Sequence, residues 1–457
     1  MMKLEEKTKT IFLFILVLTS LVLTFINWYG FSPYEEAQIV FQESFFFEEP
    51  KEEMEAIYPS KIGIPLNGAE DNEKQEKIIL RPGKSDYQKL WEESKFLLKE
   101  NIWEETQVYD TEIFESPPFL TVYFNPALPI ELGQAPYLND INEIIKMNYY
   151  ESGVKIILRD EEDLNYRIEK EKFEGLKNLA EGIRGENRIK HSLLESELTE
   201  ELADYEFELS NNIYVPTENF TASSHLSLKR ERISLDDLLK AVFINKKLAR
   251  QIAEPDGSLI FTDGEKGLRI SNYLEYTAPQ SEDGEATHSY SSALNEVIEY
   301  ICYYGGWPEG LYLDNLTLIG NGNVGQRGDY YYARGRYYHE GFPLVGEAAT
   351  TEMEFTDKGL YYYKRTMYAP SELAEEELEV AWSKDIIAKA LEYYTQKADD
   401  ELLKVEDVFL AYHITESNEE NSTRAKPVWV VEINSRNIYL EIPELKPHMQ
   451  GDYDGYI

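Results

Sequence analysis

Sixteen consecutive residues from Ile11 to Ile26, IFLFILVLTSLVLTFI, contain no charge, no proline and no glycine. Counted on to Phe31 the run is about 21 residues, or roughly 31 Å as an α-helix, close to the hydrocarbon thickness of a bilayer. Lys3, Lys7 and Lys9 precede it, and Trp28 and Tyr29 follow at the depth where aromatic belts sit. A helix buried in a soluble domain would show polar residues along one face, which this run does not. A cleaved signal peptide would have a shorter apolar core and small residues at the exit, whereas the exit here reads FINWYGFSPYEE. A lipoprotein signal needs a cysteine there, and the sole cysteine is Cys302. The expectation is a cytoplasmic tail over residues 1–10, one transmembrane helix over 11–31, and everything after it outside the cell membrane.

The remainder is strongly acidic. With 85 Asp plus Glu against 45 Lys plus Arg, the formal charge is −40. Nucleic acid and anionic membrane surfaces are therefore poor partners for the chain as a whole. The acidity reads first as a solvated exterior. At 13% aromatic, with 34 tyrosines, the chain has ample surface to bury and is not disordered despite its charge. One cysteine leaves no intramolecular disulfide framework, which suits a bacterial external domain better than an animal one. The sequons at Asn219, Asn315 and Asn421 then read as chance matches. Cys302, inside VIEYICYY, reads as a core residue of a helix.

Along the chain, residues 35–71 look like a stalk interrupted by Pro50, Pro59 and Pro65. DYQKLWEESKFLLKE (86–100) predicts a helix whose apolar face includes Tyr87, Leu90, Trp91, Phe96 and Leu97. FLTVYF (119–124) and VKIILR (154–159) read as strands, with LNDINEIIKM (138–147) as a short helix between them. The charge-dense region 160–208 reads as a solvated helix or long loop. Ser234 caps a helix running into LLKAVFINKKLARQI. SLIFTDGEKGLRISNYLEYTAP (258–279) predicts strands around turns at Asp263-Gly264 and Lys266-Gly267. A helix over 292–304, the strand LYLDNLTLI and the strand pair DYYYARGRYYHEGFPLVG follow.

The passage then recurs in outline. TEMEFTDKGLYYYKRTMYAP (351–370) repeats Phe-Thr-Asp (261–263 and 355–357), a following glycine, and Ala-Pro (278–279 and 369–370). A helix succeeds it again, KDIIAKALEYY (384–394), and strands close the chain in KVEDVFLAYHI, PVWVVEI and NIYLEI. The fold class expected is α+β, with antiparallel sheets, packed helices and two related α+β units in the C-terminal half. The external part divides into an N-terminal domain (32–230), a central domain (231–370) and a C-terminal domain (371–457), all α+β.

No catalytic pattern rises above background. Gly320, Gly322 and Gly325 match G-x-G-x-x-G, but a dinucleotide fingerprint needs a helix directly afterwards and here a strand-like run follows, so a hairpin loop is the better reading. Arg327-Gly328-Asp329 is too short to carry meaning. His191, His225, His288, His339, His413 and His448 are scattered, without the local clustering zinc needs. Asp452-Tyr-Asp454-Gly455 resembles a calcium loop that lacks its later acidic ligand. No nucleophile sits in a supported motif, so catalytic, metal and cofactor sites are all expected to be absent. The membrane run offers a better candidate. Leu13, Leu16, Ser20, Thr24 and Asn27 fall near one helical stripe, where Ser20, Thr24 and Asn27 can bond a neighbouring helix for about 0.6–2 kcal/mol. The alternative is that these hydroxyls bond back to their own helix and the segment only anchors.

Several passages together resemble the YycH family of Gram-positive bacteria: KTIFLFILVLTSLVLTFINW, LLKAVFINKKLARQ, FTDGEKGLRISNYLEYTAP, YARGRYYHEGFPLVG and VWVVEINSRNIYLEI. The resemblance implies a non-enzymatic single-pass membrane protein whose last external domain is related to the partner protein YycI. It also implies action, with YycI, on the sensor histidine kinase YycG (WalK), largely through membrane-helix contacts, as part of a hetero-oligomer that adjusts a cell-wall two-component system. An anchored wall hydrolase and a passive extracytoplasmic binding module are the readings it competes with.

Overall fold

The computed structural model describes residues 16–20, 47–66, 76–99, 117–130, 142–194, 207–279, 286–320, 329–397, 402–415, 424–442 and 447–449, apart from 152, 160–162, 168–169, 186–187, 211 and 287. The chain divides into two compact units, Met1–Phe45 and Phe46–Ile457. Of the first, residues 16–20 are described; they are helical, with Leu16, Val17 and Leu18 exposed. No helix among the described residues is long and apolar enough to cross a membrane. Most of the 11–31 run lies outside the described residues.

The second unit opens with a short helix, α1 (Glu53–Ala56), and a first sheet built mostly before residue 217. Its strands are β1 (Pro59–Pro65), β2 (Lys77–Leu80), β3 (Leu120–Ile130), β4 (Asn142–Tyr150), β5 (Gly153–Leu158), β6 (Asp163–Arg167), β7 (Lys190–Leu193) and, after the short β8 (Phe207–Leu209), β9 (Tyr214–Pro216). Eight of these form an antiparallel sheet in the order β6-β5-β4-β3-β1-β2-β7-β9. Two helices pack together beside it, α2 (Ser85–Lys99) and α3 (Glu174–Arg184). Tyr87, Leu90, Trp91, Leu97 and Leu98 of α2 are buried, and the Tyr87 hydroxyl donates to the Pro59 carbonyl at 2.5 Å. Trp91 meets Phe124 edge-on at 5.7 Å, and Phe173 meets Tyr149 at 5.8 Å.

Three local expectations change here. LNDINEIIKM is not a helix from Asn142 onward but strand β4. Its register shifts between Ile144 and Lys146, and Ile144 and Met147 consequently face Leu158 and Ile156 on the same buried side. A bulge thus gives a strand the three-residue spacing that reads as helical. The region after residue 160 is not merely solvated: β6 pairs with β5, and α3 buries Leu176, Ala180 and Ile183 at steps of four and three. Phe96 points outward at 54% exposure, and the buried seam of α2 runs through Ser94 instead.

The remaining strands are β10 (Phe220–Ser223), β11 (Leu226–Arg230), β12 (Arg250–Ala253), β13 (Leu259–Thr262), β14 (Gly267–Ile270), β15 (Tyr273–Thr277), β16 (Leu311–Ile319), β17 (Tyr330–His339), β18 (Phe342–Val345), β19 (Thr350–Thr356), β20 (Gly359–Thr366), β21 (Tyr368–Leu373), β22 (Glu377–Val380), β23 (Leu403–Thr415), β24 (Arg424–Ile433), β25 (Arg436–Glu441) and β26 (Pro447–Met449). A 16-stranded sheet runs β12-β13-β14-β15-β20-β19-β17-β18-β23-β24-β11-β21, with β16 on β17, β25 and β26 extending from β24, and β8 on β23. Its pairings are antiparallel except where β18 and β8 lie parallel to β23. β10 and β22 form a separate ribbon.

Three helices cover this sheet system: α4 (Leu235–Val242), α5 (Tyr290–Tyr303) and α6 (Asp385–Lys397). Ser234 and Ser289 cap α4 and α5 as N-cap acceptors, for Asp237 N and Ser292 N respectively. Tyr304, just past α5, stacks on Tyr276 at 5.2 Å, and α6 buries Ile386, Ile387, Ala390, Leu391 and Tyr394 in a core with Trp429 and Val431. The fold is therefore α+β with mostly antiparallel sheets, as expected. α4 is shorter than its sequence implies. It stops at Val242, Phe243 is extended, and the chain returns as β12 because β13 offers it a full antiparallel register.

Trp91→Ala should lower stability by about 3–5 kcal/mol, as truncation of a fully buried aromatic does. Phe96→Ala, five residues along the same helix, should change it by no more than about 0.5 kcal/mol. Urea denaturation of the two variants side by side checks the assigned face of α2.

Candidate functional site

The described residues hold no group of three His, Cys, Asp or Glu side chains arranged for a metal ion. Cys302 is buried in α5, and burial pushes its thiol up to about 11, far from a working nucleophile. His288 touches Glu296, which also accepts from the Tyr300 hydroxyl at 3.1 Å, but neither lines the cavity described below. Gly322, Gly325, Arg327, His448, Asp452 and Asp454 either lie outside the described residues or have undescribed side chains. Of the proposed membrane stripe, Leu13, Thr24 and Asn27 lie outside the described residues, while Leu16 and Ser20 sit on the helical piece 16–20.

The chemistry gathers instead where the first sheet meets the second. Arg81, directly after β2, donates from Nη2 to Asp407 Oδ2 on β23 at 3.0 Å. Lys61 on β1 places Nζ 3.7 Å from the other carboxylate oxygen and donates to the Asn212 carbonyl at 2.7 Å. Burial alone would raise the Asp407 carboxyl, but Lys61 and Arg81 together hold it below the usual carboxylate range. Lys61 faces the converse balance: burial lowers its ammonium, and one shared carboxylate does not restore it.

A second set adjoins this one. Arg334 and Arg336 on β17 meet Asp314 on β16 (2.6 Å from Arg334 Nη2, 3.1 Å from Arg336 Nε) and Glu432 on β24. The Phe409 ring, two residues after Asp407, takes both Arg81 (4.9 Å) and Arg336 (5.6 Å) as cation–π partners. Aromatic and ionic contacts thus tie β1 and β2 to β16, β17, β23 and β24. The alternating Arg-Gly-Arg in an apolar strand was the one sequence signal for this cluster, since residues two apart share a strand face.

Beside the cluster lies a cavity of about 260 Å³. Its walls come from β2, β7 and β9 of the first sheet, the Gly341-Phe342 turn, and β23 and β24. Arg81, Lys84, Arg188 and His191 line it together with apolar side chains such as Phe342 and Trp429. Arg188 is braced by Asp86. The Lys84 ammonium lies 5.7 Å from the Phe342 ring centre and is lowered by burial, then by Arg188. Burial, and next Arg81, brings His191 down to about 4, so its imidazole is neutral near pH 7 and donates from Nδ1 to the Ile189 carbonyl at 3.1 Å.

The far end of the large sheet is different in kind. β12 is its terminal strand, all four of its residues are exposed, and among the described residues no strand pairs with its outer edge. Ile252 (50% exposed) lies on it, Ile244 (84%) and Leu248 (69%) precede it in the turn from α4, and Leu235 at the start of α4 is exposed as well. Their four-residue steps imitate a helix stripe, which is why sequence alone extends α4 through them. Lys247 and Arg250 alternate with these apolar residues and make no ion pair among the described residues. An open edge flanked by exposed apolar and basic side chains leaves backbone groups available for pairing with a further strand.

The ion cluster carries a pH signature. With its folded pKa below the unfolded value of about 3.9, Asp407 contributes stability that is fully present above about pH 4 and lost as the pH falls through the depressed folded value. Asp407→Asn should cost about 3–5 kcal/mol near pH 7, because Lys61 and Arg81 lose their counter-charge. It should also flatten the acid limb of a stability–pH profile.

Comparison with known proteins agrees with this architecture. The family model for the YycH protein, C-terminal domain, matches residues 210–444. No curated protein matches the chain. Among solved structures, YycH from Bacillus subtilis is similar with a TM-score of 0.56 and 14% identity, over 86% of this chain and 98% of that one. An uncharacterized protein from Eubacterium rectale ATCC 33656 aligns over 52% of this chain and 87% of its own, with a TM-score of 0.31 and 16% identity. The first likeness is one of fold. The family match spans more than half of the chain, from just before β9 through β25, and by it this protein belongs to the YycH family.

Proposed function

We propose that this protein is a membrane-anchored regulator that works with a YycI-like partner to adjust the sensor histidine kinase WalK (YycG), and thereby cell-wall metabolism, through protein–protein contacts. YycH proteins are extracytoplasmic regulators of the WalK/YycG two-component system in general, and family membership carries that much to this chain. The finer points are our reading: a single crossing at 11–31 with the N-terminus inside, and helix contacts through Leu13, Leu16, Ser20, Thr24 and Asn27. So are the YycI-like relation of residues 371–457 and the divisions near residues 230 and 370.

The observation that carries regulation by binding is the open β12 edge. Four of the seven exposed large apolar side chains described beyond residue 45 are Leu235, Ile244, Leu248 and Ile252. A partner strand added there satisfies the free backbone groups of β12 and covers these side chains. Pairing with a second copy would set Lys247 and Arg250 against their own like charges, so an acidic or apolar strand of the YycI-like partner fits better. A relation between the two C-terminal units is supported by the repeated Phe-Thr-Asp. In both, the threonine ends a strand and accepts from a backbone N–H two residues on (Gly264 N at 3.0 Å, Lys358 N at 3.3 Å).

Two variants test the reading by co-purification with the kinase and the YycI-like protein from membranes. Replacing residues 11–26 by an unrelated membrane helix should weaken kinase retention several-fold. Ile244→Asp with Leu248→Asp should weaken retention of the YycI-like partner at least as much, with thermal unfolding unchanged. Full retention and normal signalling in both would refute contact-based regulation by these elements.

A further inference from the structure

The cavity between the two sheets is unlike the rest of this chain. The protein carries 40 more acidic than basic residues, yet three cationic side chains line the cavity and no Asp or Glu does. We infer that this cavity binds a small organic carboxylate with an apolar arm, held by Lys84 with Arg81 and Arg188.

Two of the cations are fixed from behind. Arg81 is held by Asp407 and Arg188 by Asp86, so their guanidiniums are positioned before any ligand arrives, and the ordering cost of binding falls accordingly. Lys84 differs, having no ion pair among the described residues. Its stem lies against Gly341, where a Cβ would come within 2.8 Å of Cε, so the turn glycine makes room for it. Its charged end sits over Phe342 rather than in open water. Glu340 and Asp86 act on this ammonium only from beyond ion-pair distance, so it stays partly desolvated without a contacting carboxylate, and an incoming anion supplies that contact.

The rest of the lining is largely apolar. Phe342, Leu410, Trp429 and Ile78 offer rings and aliphatic surface but few donors, which suits the arm of an organic acid better than a bare phosphate. Neutral His191 uses Nδ1 on the Ile189 carbonyl, leaving Nε2 as an acceptor for a polar N–H or O–H on the same ligand. About 260 Å³ accommodates a molecule of amino-acid to small-dipeptide size. Because β2 and β7 form one wall and β23 and β24 the other, the ligand touches both sheets at once. Occupancy would stiffen the junction that the Asp407 cluster already holds.

The experiment titrates the full chain in nanodiscs with 3-phenylpropionate by calorimetry, against empty nanodiscs. The matching neutral amide and inorganic phosphate serve as comparisons. Saturable binding is expected for the acid, at least about tenfold weaker for the amide and for phosphate. Lys84→Met should lose the same factor, and Lys84→Arg should recover most of it, with the unliganded thermal midpoint unchanged in both. Phosphate binding as tightly as the acid would refute the apolar arm. An amide equal to the acid, an unaffected Lys84→Met, or no saturation would refute the site itself.

Discussion

The architecture turns on one carboxylate shared by two cations. Asp407 belongs to the second sheet, while Lys61 and Arg81 belong to the first, and all three are largely removed from water. A buried ion pair adds little net stability over an apolar contact of the same shape, since desolvation consumes most of the attraction. What it does add is direction. Only one relative placement of β1, β2 and β23 satisfies both cations, and Phe409 reinforces it by receiving Arg81 and Arg336. The two sheets are therefore docked in a single arrangement rather than merely adjacent.

This docking also sets where the cavity forms. The cavity exists because the sheets meet along a line that the ion cluster fixes at one end, and its cationic lining consists of the same side chains or their neighbours. The free edge at β12 lies at the terminal strand of the large sheet, where Ile244, Leu248 and Ile252 are exposed on it or just before it. In the proposed reading, the edge serves contact with a partner and the junction responds to an occupied cavity. Both features are built from residues with no motif, which is why a search for catalytic patterns passes over them.

Most of the architecture was legible in the sequence where periodicity and turn chemistry agree. α2, α5 and α6, the strands around Asp263-Gly264, and the C-terminal strands from Leu403 onward follow from local pattern. The failures are equally local. A bulge in β4 gave Ile144 and Met147 a helical spacing, and Ile244, Leu248 and Ile252 gave a turn and an edge strand the same disguise. The site was barely legible at all, because Lys61, Arg81, Asp314, Asp407 and Glu432 are drawn from distant parts of the chain. In a sequence with 85 acidic residues, nothing marks Asp314, Asp407 and Glu432 as the ones that meet the cluster's cations. The one local sign is Arg334-Gly-Arg336, two charges two residues apart in an apolar strand, and its meaning shows only once Asp314 and Glu432 are in place beside it.

Native-state hydrogen exchange, comparing the wild type with Arg81→Met, tests the docking most directly. If the Asp407 cluster makes the two sheets one cooperative body, residues 59–65 and 403–415 will share one opening free energy and lose the same amount of it in the variant. If exchange quickens only around residues 77–84 while both strands keep their wild-type protection, the sheets are stable independently and the cluster does not join them.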